Sequence, residues 1–168
     1  MLLTIHFPKP EFMIAFIRDA NTSKSVSRIF KWLRKRLGYE IFTSLFLVIT
    51  VDRGSEFTNP VAIEQDENER VWTKLFYCDP YSSYQKPYIE NAHRMLRMIT
   101  PKGKSMNGLT QEKVNLMMSH INSYARKALG DRTPIDMFAE MYGEEVINKL
   151  GISKISANDI NLTPSLIK

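Results

Sequence analysis

Cysteine is almost missing: the 168-residue chain has one, Cys78, so it can form no internal disulfide and no cysteine-rich zinc site. Long apolar runs are missing as well. None approaches the ~20 residues needed to cross a bilayer, and residues 1–10 lack the basic-then-apolar order of a signal peptide. No glycine-rich phosphate loop follows any predicted strand, which argues against a nucleotide-binding fold. There is no internal repeat and no low-complexity segment. These absences predict an intracellular, cytoplasmic protein with no membrane partner.

What is present is enough apolar residue, 43% of the chain, for one ordinary core but not for two of that size. The organisation expected is a single domain over residues 1–150 and an extended tail over 151–168, where the sequence turns polar and irregular. A net charge of +5 and a pI of about 9.3 suit a polyanionic partner. The charge is also patterned. Residues 23–36 hold six cations (Lys24, Arg28, Lys31, Arg34, Lys35 and Arg36) and no acid, whereas residues 64–69 hold four acids. Such a run is as readily a solvated helix face as a nucleic-acid surface.

Leu2 to Phe7 and Phe12 to Ile17 read as a hairpin broken by Pro8 and Pro10. From Ser23 the apolar period becomes helical through Val26, Ile29, Phe30, Leu33 and Leu37, with Thr22 or Ser23 to start the helix and Gly38 to end it. Residues 46–51 form a continuous β-prone run that predicts a strand buried on both faces, stopping at Asp52-Arg53-Gly54. Another short strand is expected over 73–77, a polar tyrosine-containing loop over 79–86, and then three helices. These begin near Pro87, after Thr110 and at Thr133-Pro134, the second with Val114, Met117, Met118, Ile121 and Tyr124 inward. Strands followed by helices predict a mixed α/β sheet covered by helices.

Two acids stand out by position: Asp52 at the end of the buried-strand run, and Glu90, 38 residues later, in the first turn of a helix. Alone, each has a bland explanation, a turn for Asp52 and a favourable helix-dipole contact for Glu90. Together on a sheet edge, carboxylates can share divalent metals about 3.5 to 4 Å apart, an arrangement that drives phosphoryl transfer and normally wants a third acid. His93, three residues after Glu90 on one helix, has the option of ligating a metal but reads rather as a partly exposed histidine. His6 and His120 lack acidic neighbours in sequence that would suggest a metal site. Cys78 reads as a small packing residue, and Tyr81, Tyr84 and Tyr88 as packing residues with the option of stacking on bases.

The stretch Ile49-Thr50-Val51-Asp52-Arg53-Gly54-Ser55-Glu56-Phe57 resembles the "TDNGSEF" segment of DDE transposases of the insertion-sequence-thirty family. The resemblance continues through residues 76–83 ("FYCDPYSS"), Gln85-Lys86 ("QKG"), Ile89-Glu90-Asn91 ("IEN"), Pro101-Lys102-Gly103 and Ile121-Asn122-Ser123-Tyr124. Arg126-Lys127, Leu129-Gly130, Thr133-Pro134 and residues 161–166 extend it over nearly the whole chain.

This resemblance implies a ribonuclease-H-like, retroviral-integrase-type fold and metal-dependent cleavage and strand transfer at the ends of a mobile element, with Mg2+ or Mn2+ as cofactor and DNA as partner. Asp52 would be the second acid of the triad and Glu90 the third, both as metal ligands. Arg97 would meet DNA near the cleavage site, with Lys86, Arg94 and Lys102 as further DNA-binding candidates. A homo-oligomer is an option. The family's first aspartate lies upstream of the segment matching residues 2–5, so the chain is expected to lack that residue and its central strand. On its own it is then expected not to cut or join DNA, and to be poorly soluble or partly unfolded. Arg53 stands where the family has asparagine, and Pro87 where it has glycine. The alternative is a non-catalytic DNA-binding remnant of a transposase; a nuclease of the same fold is a third reading.

Overall fold

The computed structural model describes residues 1–78, 87–103 and 108–168, without the side chains of Pro87 and Tyr88. The loop expected over 79–86, with Lys86, Tyr81 and Tyr84, lies outside the described residues. The chain forms two compact units interleaved in sequence. An inserted unit comprises residues 18–85 with Met1, and a flanking unit comprises residues 2–17 and 86–168.

In the inserted unit, helix α1 (Ser23–Leu37) starts where the Thr22 side chain accepts the Ser25 N–H at 3.3 Å and ends at Gly38, whose φ of 78° suits glycine. Val26, Phe30, Leu33 and Leu37 are buried along one face. The cation run is largely engaged within this unit. Lys31 pairs with Glu67, Arg28 lies 3.6 Å from Asp19, and Arg34 is buried and donates to the Ile63 carbonyl at 3.0 Å. The opposite charge blocks seen in sequence thus meet each other.

Helix α2 (Tyr39–Leu45) leads into strand β3 (Val48–Val51). Helix α3 (Pro60–Glu64), capped by Asn59, precedes strand β4 (Lys74–Tyr77). β3 and β4 are parallel, with Val48 opposite Lys74 and Val51 opposite Tyr77. The run over 46–51 does not form the doubly buried strand its composition predicts. Phe46 is buried at the end of α2, Leu47 and Val48 are 73% and 53% exposed, and within β3 only Val51 is buried. Among the described residues β3 has a ladder partner, β4, on one edge.

In the flanking unit, β1 (Leu2–Phe7) and β2 (Phe12–Ile17) form the expected antiparallel hairpin, with Phe7 opposite Phe12. Four helices follow: α4 (Pro87–Ile99), α5 (Gln111–Ser123), α6 (Pro134–Tyr142) and α7 (Glu144–Lys149). α5 is the centre of this core, with Val114, Met117, Met118 and Ile121 fully buried. β2 packs against it and is itself buried from Phe12 to Phe16. Asn122, also fully buried, joins the two: its Oδ1 accepts the Met13 N–H at 2.9 Å and its Nδ2 donates to the Met13 carbonyl at 2.7 Å. Tyr124, expected on the inner face of α5, is 46% exposed. The helix stops at Ser123, and Arg126 turns the chain by donating to the Ile121 and Tyr124 carbonyls at 2.9 and 2.7 Å.

Residues 151–168 are irregular apart from two short 3-10 turns, as expected, but they are anchored along α5. The N–H groups of Ser153, Ile155 and Asn161 donate to Ser119 Oγ, Ser123 Oγ and His120 Nδ1 at 3.0, 2.9 and 3.0 Å. The protein is therefore mixed α/β, with two two-stranded sheets among the described residues. Among the described residues no helix is long and apolar enough to cross a membrane.

Candidate active site

Asp52 follows the buried Val51 directly, so the end of the strand delivers its side chain to the surface, where it is exposed. Its Oδ1 accepts the Gly54 N–H at 3.1 Å, a turn that directs the carboxylate without consuming it. A short 3-10 turn, Ser55–Phe57, then brings Glu56 back beside Asp52. A Cβ added at Gly54 would meet the Glu56 carboxylate and sit 3.0 Å from Asp52 Oδ1, so both acids lie close against this glycine.

Glu56 is differently placed from Asp52. Its Oε1 lies 3.5 Å from Nη2 of Arg18, whose side chain is buried, and its Oε2 accepts from Asn21 at 3.4 Å. Nε and Nη1 of Arg18 have no hydrogen-bond partner, which leaves Glu56 as the counter-charge of a buried guanidinium. The sequence offers Arg18 no distinguishing signal, and Glu56 appears there only as one letter of a motif. An open cleft of about 370 Å³ adjoins this turn, lined by Arg53, Gly54, Phe57, Thr58 and Tyr77.

In the flanking unit, Glu90 lies in the first turn of α4 and is exposed, as are Arg94 and Arg97. Spacings of four and seven residues set these three on one face, opposite the buried Ala92, Met95 and Ile99. Arg94 Nη2 donates to Asn91 Oδ1 at 2.9 Å. Lys102 is exposed just beyond the helix. Asp52 belongs to the inserted unit and Glu90 to the flanking unit.

No protein-family model matches the chain. Curated relatives do. A transposase for insertion sequence element IS4351 of Bacteroides fragilis is 27% identical over 137 residues, which is 74% of this chain and 40% of the relative. The chain is related to IS30-type insertion-sequence transposases. Transposase InsI for element IS30A of Escherichia coli is 30% identical over 86 residues, 51% of the chain and 21% of that transposase. A transposase for element IS1086 of Cupriavidus metallidurans is 28% identical over 93 residues, 55% and 26%. The chain thus spans less than half the length of these transposase relatives.

Transposase chemistry implies a divalent metal, and the donors can be checked against one. Asp52 and Glu90 offer exposed carboxylate oxygens, the hard ligands that Mg2+ and Mn2+ favour. Among the described residues, however, no group of three or more His, Cys, Asp and Glu side chains could hold a metal ion. The donor type fits and the number falls short.

Proposed function

We propose that the chain is part of the catalytic core of an insertion-sequence transposase, with Asp52 and Glu90 as two of its metal-ligating carboxylates and the exposed face of α4 as a DNA contact. The observation that carries this reading is the contrast within the segment Asp52-Arg53-Gly54-Ser55-Glu56. One acid is engaged in stabilising the fold. The other stands exposed at the carboxyl end of a parallel strand, where ligands of open α/β sheets gather. An antiparallel strand pair and a parallel strand pair are both compatible with the ribonuclease-H-like fold that the resemblance implies.

A bound Mg2+ or Mn2+ would supply Lewis-acid polarisation of a DNA phosphate and activation of a water or hydroxyl nucleophile. The protein's share is positioning. The Gly54 N–H orients Asp52, and Arg94, Arg97 and Lys102 offer salt-sensitive, sequence-independent attraction to the DNA backbone. Lys86 belongs to the same proposal from its sequence position alone.

The test uses a chain extended to the length of the relatives and DNA carrying the ends of a mobile element. Asp52→Asn and Glu90→Gln should each lower Mg2+-dependent cleavage and joining by at least about 100-fold. Arg97→Ala should weaken binding and reduce the salt-dependence slope by about one unit. Undiminished cleavage by both carboxamide variants would sink the reading. Binding without cleavage by the extended wild-type protein would favour the non-catalytic alternative.

A further inference from the structure

Within the flanking unit, His6 on β1 and His93 on α4 face each other Nε2 to Nε2 at 3.3 Å, and Thr4 Oγ1 lies 3.1 Å from the same His93 nitrogen. Two imidazole nitrogens bound to one tetrahedral Zn2+, each about 2.0 to 2.1 Å from the ion, stand about 3.3 Å apart. Ring orientation points the same way. Each ring centroid lies about 1.1 Å behind its Nε2, so rings meeting head-on across this gap would have centroids about 5.5 Å apart, against about 5.1 Å for rings converging on a tetrahedral ion. The observed centroids are 5.0 Å apart with the planes at 81°, on the converging side.

We propose that His6 and His93 form a binding site for a borderline divalent transition-metal ion, Zn2+ in the first instance, which ties β1 to α4. Imidazole ligands select Zn2+ over Mg2+, which prefers oxygen. Among the described residues these two imidazoles are the ligands, and further oxygen donors such as water can complete the coordination shell. Burial, helped by the nearby Arg97 charge, holds His93 below the usual histidine range and so in the neutral form that ligates. The site needs no transposase activity, so its failure and that of the functional proposal are separable.

The test is Zn2+ titration of the whole chain in the presence of millimolar Mg2+, followed by ring-nitrogen NMR of its three histidines. His120, whose Nδ1 accepts the Asn161 N–H, is the internal control. One equivalent of Zn2+ should shift Nε2 of His6 and His93 together and leave His120 in place. His6→Asn and His93→Asn should each weaken Zn2+ binding more than tenfold, and Asp52→Asn should not. Because the first readout is taken on the wild-type chain, it holds even if a variant folds poorly. Unmoved His6 and His93 signals at saturating Zn2+ would overturn the proposal, leaving the contact as a hydrogen bond from one imidazole to the other.

Discussion

Glu56 and Asp52 are four residues apart and chemically alike, yet their surroundings predict opposite consequences for stability. Removing Glu56 leaves the Arg18 guanidinium buried without a counter-charge, and breaking such a pair costs about 3 kcal/mol. Asp52 is exposed, so Asp52→Asn should stay within about 0.5 kcal/mol of the parent. Urea denaturation of Glu56→Ala and Asp52→Asn should therefore separate the two variants clearly; equal stabilities would contradict the assigned roles. Asn122 is a second residue whose side chain substitutes for backbone. Asn122→Ala would strand both the N–H and the carbonyl of Met13 in the core, at about 1 to 3 kcal/mol for each group. A loss of roughly 2 to 5 kcal/mol is expected by the same measurement. Nothing in the apolar periodicity of α5 announces this role. An asparagine beside Ile121 reads as the polar side of a helix, and only its burial shows that it bonds across to a strand.

At the scale of elements, local rules were readable wherever local chemistry decides. Thr22, Thr110 and Thr133 cap the helices that the sequence assigns to them, and Gly38 ends α1. The β1–β2 hairpin appears with its expected limits because its register is set within the hairpin. What sequence misjudged depended on neighbours: among the described residues β3 is paired on one edge, and Tyr124 is turned outward by Arg126. The site divides in the same way. Motif and spacing single out Asp52, Glu90 and the arginines of α4 as candidates, whereas the Arg18–Glu56 pair and the meeting of His6 with His93 join residues far apart in sequence. The tail over 151–168 was legible as irregular, not as anchored. Its contact with His120 has a pH dependence whose sign follows from burial, which pushes His120 below its usual range despite the opposing charge of Asp159. Between that lowered value and about 6.5 the unfolded chain binds a proton that the folded chain does not, so stability is lost as pH falls through this window. Hydrogen exchange at the Asn161 amide should accelerate below about pH 6.5 beyond the intrinsic trend. In His120→Asn, which keeps an acceptor near the Nδ1 position, that acceleration should disappear.

For the whole molecule, sequence composition allows one core over residues 1–150, and the contacts of the chain group into two units interleaved in sequence. The interleaving was hidden because the contacts that define it span about a hundred positions: Met13 reaches Asn122, and Ile17 reaches Gln111. Apolar surface also remains on the β3–β4 pair, where Leu47, Val48, Phe76 and Tyr77 are all more than 40% exposed. The order in which the chain is synthesised turns the interleaving into a schedule. Residues 2–17 leave the ribosome well before α5, against which β2 is buried, so the hairpin emerges before its partner exists. The inserted unit has no such wait, since residues 18–85 supply nearly all of it. Nascent chains arrested with residues 1–100 outside the exit tunnel should accordingly show protease protection within 18–85 while the hairpin is still cleaved. Protection of the hairpin should appear only once residue 123 has emerged, so that a segment made before the inserted unit is secured after it.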